Sequence, residues 1–569
     1  MPTPKITFKN FGEKLQQALM RFPLTVTAVL AFAILMIINI YTHFKNVVDE
    51  RFFWFLGLTV FFSLAFYLFA ENRLSCLLKN LLNILLAGLL AWFSLTLDKP
   101  VVEAEIIRIL VLCVSFGAAV FFAPFIIGRR PLAFWDYVMN VIYQLIIAGV
   151  FAGVLKGGLS LALLSLDELF GMNIPETAYN YLSVLCFIVF FPLYFLSFLP
   201  RIDKNEEEKP VDFPKIYKIL GLYILLPILS IYILILYVYL AKIIVTWELP
   251  NGWVSWLVSI LGIVGYLTIS LLHPIYLKGE NKPAKLFIRY FPVILLPLLI
   301  LMFVGIMRRF SDYGITINRL FILLLNLWLF GISIYLFISR TKHVKWIYIT
   351  FAAVAFLSSV GPWSVFSITR HTLKSELSQL LTEANWTNSK DNIITPLNKE
   401  KQKRLADVAN YLQTNYGANL IRPMFSSLGE KAEVSNLIKA LGIKDEQQLK
   451  DNYFFVNASE SSFEINVADY RKAIQLRKRQ DEDLIYKSDS LKISVDNGQL
   501  KMLQNTIETI ISLEPIIEKA ASDKKESIDL QNLILENSEY KLIIFNLDGQ
   551  RKIDNSITIS YLNGLLLLK

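Results

Sequence analysis

Residues 220–267 read "LGLYILLPILSIYILILYVYLAKIIVTWELPNGWVSWLVSILGIVGYL", with only Lys242 and Glu248 charged. Two apolar runs, 217–245 and 253–272, flank the break Glu248-Leu-Pro-Asn-Gly252. A bilayer hydrocarbon core of about 30 Å is crossed by about 20 apolar residues in a helix. Neither run alternates with the period of two that marks a barrel strand. Unpaired backbone groups cannot face lipid, which leaves helices as the spanning element. The tryptophans at 247, 253 and 256 fit an interfacial aromatic belt on either side of a turn.

The same pattern recurs along the chain. Eleven runs of this kind lie near 22–41, 52–70, 75–97, 106–127, 134–155, 180–199, 217–245, 253–272, 287–307, 318–338 and 345–367. With residues 1–21 inside, the inner connections hold 20 Lys and Arg and the outer ones 9, an asymmetry that sets orientation. Eleven crossings then deliver the C-terminal part outside. The first run is too long for a signal-peptide core and lacks a small-residue cleavage site, so it is expected to remain as a span. Residues 157–175, "GGLSLALLSLDELFGMNIP", are short for a crossing and are expected to form an interfacial or re-entrant helix.

Composition agrees with this class. The chain has 569 residues, 55% hydrophobic and 18% charged, so it is more apolar than soluble domains. Its +9 balance resides in the first 370 residues, where 30 Lys and Arg face 19 Asp and Glu. From His371 onward 26 basic residues meet 28 acidic ones. A nucleic-acid binder would carry its excess charge on a soluble face, so that class is set aside. Cys76, Cys113 and Cys186 all lie inside apolar runs and offer no disulfide framework.

Three groups of residues qualify as candidate sites. Asp136, Asn140 and Gln144 recur at i, i+4 and i+8 and share a helix face. Polar groups at membrane depth line pathways or bond neighbouring helices. Gly149, Gly153 and Gly157 follow on the same span as a small-residue packing face. Second, "MRRFSDYGITINRLF" (307–321) crowds Arg308, Arg309, Asp312 and Arg319 into an outer connection. Arginine forks suit phosphate or headgroup anions. The alternative is a tight hairpin turned by Gly314 and capped by Thr316. Third, Gly361-Pro362-Trp363 stands at the border of the last apolar run. Pro after Gly breaks the helix, Trp anchors at headgroup depth, and Ser364, Ser367 and Thr369 can cap a new helix. Prolines 124, 192, 227, 292 and 297 also fall within apolar runs, with kinks expected at 227, 292 and 297. No histidine pair at metal-ligand spacing, phosphate-binding loop or nucleophile elbow occurs, so neither a metal, a cofactor nor a catalytic constellation is expected.

The stretches 157–174, 220–267, "SDYGITINRLF" (311–321) and "GPWSVFSITR" (361–370) together resemble a family of bacterial multi-pass membrane proteins known as domain of unknown function 4153. The resemblance implies an integral membrane location and supplies no catalytic residues; the expected location is the bacterial cytoplasmic membrane.

Residues 368–569 read differently. Helical patterns come first, at "HTLKSELSQLLTEA" (371–384), 398–417 and 432–443, followed by strand-like segments at 453–457, 462–467 and beyond. Asn497-Gly498, Asp548-Gly549 and Asn563-Gly564 are hairpin signals. The charge run 471–483 reads as a solvated face. The expected architecture is therefore an α-helical polytopic membrane protein of about eleven transmembrane helices: a short inner segment (1–21), a helical membrane domain (22–367), and a soluble α+β domain (368–569) with a mainly antiparallel sheet. Its expected role is a sensor, scaffold or envelope-related factor presenting an extracytoplasmic domain, with lipid and an envelope component as partners. A transporter or lipid-handling protein is the alternative.

Overall fold

A computed structural model describes residues 8–42, 48–128, 130–202, 213–246, 253–279, 281–386, 397–424, 434, 453–457, 467–478, 484–488, 491–504, 507–523, 533–551 and 557–569. The chain divides into two compact units, Met1–Gln379 with Tyr411–Ile421, and Leu380–Asn410 with Arg422–Lys569.

The first unit is helical. It comprises α1 (Phe8–Arg21), α2 (Pro23–Tyr41), α3 (Glu50–Ala70), α4 (Cys76–Leu95), α5 (Glu103–Val120) and α6 (Pro131–Phe170). These are followed by α7 (Glu176–Phe198) and α8 (Lys215–Thr246). Then come α9 (Trp253–Lys278), α10 (Lys282–Tyr313), α11 (Ile317–Ile338), α12 (Lys345–Ser359) and α13 (Val365–Glu383). Among the described residues nine helices, α2 to α4 and α6 to α11, are long and apolar enough to cross a membrane. The two remaining runs also fold as helices. The first turn of α5 takes in Glu103 and Glu105, and α12 stops at Ser359 after 15 residues.

Residues 157–170 do not form a separate re-entrant helix. They continue α6 as one helix of 40 residues, ended by the left-handed Gly171. Nothing between 131 and 170 breaks it, because glycine weakens a helix far less than proline. The prolines behave in two ways. Residues 184–190 and 219–225 wind as π-helix, and each stretch is followed two residues later by proline, Pro192 or Pro227. The wider turn accommodates the ring where an ordinary turn would press it on the carbonyl four residues back. Pro292 and Pro297 instead sit inside α10, and Pro274 inside α9.

Two apolar cores organise this unit. One gathers Val258, Tyr266, Phe291, Leu295 and Leu329 from α9, α10 and α11. The other gathers Phe22 from the junction of α1 and α2 with Leu68, Trp135, Val138 and Tyr194 from α3, α6 and α7. Close approach occurs where glycine allows it. A Cβ on Gly265 would fall 2.0 Å from Phe291 Cζ, and one on Gly221 2.4 Å from Leu272 Cδ2. The glycine face expected on α6 does not pack this way. A Cβ on Gly149 would meet Phe191 at an ordinary 3.8 Å, and Gly153 and Gly157 have nothing within 4 Å.

The second unit holds two antiparallel sheets. One has the order β1 (Tyr453–Asn457), β8 (Tyr540–Arg551), β9 (Ile557–Leu568), β2 (Lys472–Lys478), with β7 (Ile534–Glu536) also pairing β8. The other has the order β3 (Leu484–Lys487), β4 (Leu491–Asp496), β5 (Gln499–Gln504), β6 (Ile507–Ser512). Asn497 and Gly498 are both left-handed, and they turn the β4–β5 hairpin as expected. The other two signals are not turns. Asp548-Gly549 lies at a register shift within β8, and Asn563-Gly564 lies inside the continuous β9. Gly564 is needed there because a Cβ would sit 2.6 Å from the Ile543 carbonyl oxygen. Residues 472–478, read as a charged face, form a strand that buries Ile474 and Leu476 on alternate positions. The expected strand start at 462–466 and most of the expected helix at 432–443 lie outside the described residues.

Candidate functional site

Of the residues singled out from the sequence, Asn140, Arg319, Ser364 and Ser367 make hydrogen bonds within their own helix or turn. On α6, Asn140 Nδ2 donates to the Asp136 carbonyl oxygen of its own helix at 2.8 Å. Asp136, Asn140 and Gln144 are each half-buried. Other polar groups at membrane depth bond helix to helix. Trp135 Nε1 donates to Leu271 O at 3.1 Å, Asn326 Nδ2 to Leu299 O at 3.0 Å, and Tyr237 Oη to Ile294 O at 2.7 Å. Ser115 Oγ on α5 donates to Ala352 O on α12 at 2.8 Å, joining the two shorter helices.

In the 307–321 connection, α10 runs on through Arg308 and Arg309 to Tyr313. Gly314 then turns the chain in the left-handed region. Arg319 Nη1 donates back to Gly314 O at 2.7 Å, which commits this guanidinium to closing the hairpin. Thr316 holds the N-cap position of α11 without a side-chain bond, and the Ile317 amide instead donates to Tyr411 Oη at 3.0 Å. The side chain of Asp312 and residue Glu248 lie outside the described residues.

At the border, Gly361 is left-handed, and its missing Cβ leaves room for the Trp363 ring, 3.0 Å from where it would stand. Pro362 follows and α12 does not continue. Ser364 Oγ accepts from the Ser367 amide at 3.2 Å, and Ser367 Oγ donates to the freed Gly361 carbonyl at 3.2 Å. Two hydroxyls therefore satisfy the groups left open by the break and start α13. Trp363 stays 60% exposed.

A fourth site carries no sequence motif. A cavity of about 230 Å³ opens among the start of α6, α9 and the connection from α11 to α12. Its polar lining is Arg130, His273, Lys342, His343 and Lys345, with Phe125 and Phe134 among the apolar walls. The connection is held under strain. Arg340 and Thr341 both adopt left-handed backbone, at φ of 54° and 55°. Each such non-glycine residue costs on the order of 1–2 kcal/mol. Three helices offset that cost. Tyr276 Oη donates to Arg340 O at 2.8 Å and His273 Nε2 lies 3.0 Å from Thr341 O, both from α9. Thr341 Oγ1 donates to Ile288 O of α10 at 3.3 Å, and Arg289 Nη1 to Phe337 O of α11 at 3.0 Å. Lys345 Nζ is anchored on Gly128 O at 2.8 Å, where Gly128 has a φ of 125°.

Beside the same runs, Arg21 ties three helices together. Nε and Nη2 fork onto the two Glu71 carboxylate oxygens at 2.8 and 2.7 Å. Nη1 donates to Leu199 O at 2.7 Å. Read from sequence, Arg21 was one more basic residue of the inner segment.

These helices define a polytopic α-helical protein of a lipid bilayer. The model for "Domain of unknown function (DUF4153)" matches residues 31–380, more than half of the chain, and the protein belongs to that family. It is also 25% identical over 316 residues to "Uncharacterized protein PM1469" of Pasteurella multocida (strain Pm70). That match covers 52% of each sequence, so the chain spans about half the length of this curated relative. No solved structure matches.

Proposed function

We propose that the protein is an integral scaffold or sensor of the bacterial cytoplasmic membrane, with residues 1–21 inside and the C-terminal α+β unit presented outside to an envelope component. The observation that carries this reading is how its polar groups are used. A carrier leaves polar side chains facing a water path, whereas Asn140 is bonded within α6 and Trp135, Asn326 and Ser115 bond neighbouring helices. The outward placement rests on the charge asymmetry of the connections. It requires α5 to cross as well, because without that crossing every later connection would change sides and the asymmetry would reverse.

Thiol labelling tests the first half. With Cys76, Cys113 and Cys186 replaced by alanine, Asn140→Cys and Gln144→Cys are expected to resist a membrane-impermeant maleimide added to either side. Labelling of both from either face would establish a water path and favour the transporter. Protease added to spheroplasts tests the second half. A C-terminal tag is expected to be removed from intact spheroplasts, and protection until lysis would place the unit inside.

A further inference from the structure

The cavity between the start of α6 and the α11–α12 connection has a composition that the spanning role does not require. Its described lining brings Arg130, Lys342 and Lys345 together with two histidines and contains no Asp or Glu. The tendency of basic residues to stay on one side explains why they occur at this end of the bundle. It does not explain their convergence on one concave space.

One further feature points the same way. The strained pair Arg340-Thr341 immediately precedes Lys342 and His343, and the carbonyls of both strained residues are held by side chains of α9. Strain of this kind persists where surrounding bonds hold a segment in place. Here they hold it over the cavity.

We propose that this cavity binds a phosphate-bearing anion, taken from an anionic lipid headgroup or from solution. A volume of about 230 Å³ is below the range typical of whole drug-sized ligands and suits a headgroup phosphate with its nearest substituents. Basic pockets between membrane helices recognise such headgroups by charge. The inference is independent of the scaffold role and stands or falls separately.

The test uses the full chain purified in neutral detergent. Phosphatidylglycerol is added against phosphatidylcholine, and retention is read by native mass spectrometry together with the thermal unfolding midpoint. Phosphatidylglycerol is expected to be retained and to raise the midpoint, and phosphatidylcholine is not. Lys342→Glu changes an exposed connection residue, so folding is preserved, and it is expected to reduce retention at least about fivefold, as one juxtamembrane charge does. Lys282→Glu, an exposed cation outside the cavity lining, is expected to leave retention unchanged. Inorganic phosphate in a third arm separates the sources. Competition at millimolar concentration identifies an anion taken from solution, and stabilisation by the lipid alone identifies the headgroup. Equal retention of both lipids with no effect of phosphate, or equal losses in Lys342→Glu and Lys282→Glu, overturns the proposal.

Discussion

His273 Nε2 lies 3.0 Å from the carbonyl oxygen of Thr341, a residue 68 positions away whose backbone is left-handed. A buried ring on α9 thus holds a strained connection between two other helices. Arg340, its neighbour in the same conformation, contributes through its backbone: its amide donates to Phe337 O at 3.3 Å and its carbonyl accepts from Tyr276. Asparagine tolerates left-handed backbone better than arginine does. Arg340→Asn is therefore expected to stabilise the protein by about 0.5–1 kcal/mol. A higher thermal unfolding midpoint in detergent checks it, and a lower one would show that the arginine side chain contributes more than its backbone costs.

The Arg21–Glu71 pair is expected to matter far more. Both carboxylate oxygens and two backbone carbonyls, at Leu199 and Pro200, depend on one guanidinium that is 9% exposed. Removing one member of a buried pair leaves the other uncompensated and costs about 3–5 kcal/mol. Arg21→Ala is expected to lose most folded protein at growth temperature, as read by size-exclusion profile. Arg21→Lys is expected to rescue little, because a single ammonium cannot reproduce the fork.

Glycines on α9 and α6 are expected to respond oppositely. Gly265→Ala forces the buried Phe291 ring out of place and is expected to cost about 1–3 kcal/mol. Gly157→Ala meets open space and is expected to be neutral or slightly stabilising, given the better helix propensity of alanine. Paired unfolding midpoints of the two variants decide the matter.

The second unit is expected to lose stability in acid. The Lys501 ammonium beside Asp496 holds that carboxyl below its usual range, and Lys541, followed by the Tyr470 hydroxyl, does the same for Glu536. A carboxyl with a depressed folded value contributes stability that is present above its unfolded value, near 3.8 for Asp and 4.5 for Glu, and is lost as pH falls through the folded one. Sheet content followed by infrared amide I bands is expected to resist heating equally from pH 8 to about 5, then less well below pH 4. Replacing Lys501 and Lys541 by methionine is expected to flatten that acid loss, because the folded values then return toward the unfolded ones, while stability above about pH 5 falls.

The membrane class was legible because spanning helices need long apolar runs, and nothing else produces them. The Asn497-Gly498 hairpin was legible because its φ values demand those residues. Asn563-Gly564 carries the same letters for other reasons. Asn563 Nδ2 donates to Asn546 Oδ1 across the sheet at 3.1 Å, Asn546 bonds Asn457 in turn, and Gly564 makes room for a neighbouring backbone. Such a use depends on strands distant in sequence. The alternation of Ile474 and Leu476 was present in "KAIQLRK" but masked by its charges. The basic cavity had no local signal at all, since its walls come from residues 125–134, 273 and 342–345. Arg130, Lys342 and Lys345 were counted as orientation charges, and only the packing of α9 against the connection brings them together.

The length of α6 has a geometric consequence. At 1.5 Å per residue its 40 residues measure about 60 Å, twice the hydrocarbon thickness. Laying all of it within that layer would demand a lean of about 60° from the normal, whereas membrane helices rarely exceed about 40°. At 40° it still climbs about 46 Å, so about 16 Å of that height, roughly 21 Å of rod or about 14 residues, stands beyond the acyl chains. Leu161, Leu169 and Phe170 are 64%, 77% and 72% exposed on its far end. Among the described crossing helices α6 is the longest, and its reach is set by the headgroup layer and whatever lies above it rather than by the oil between.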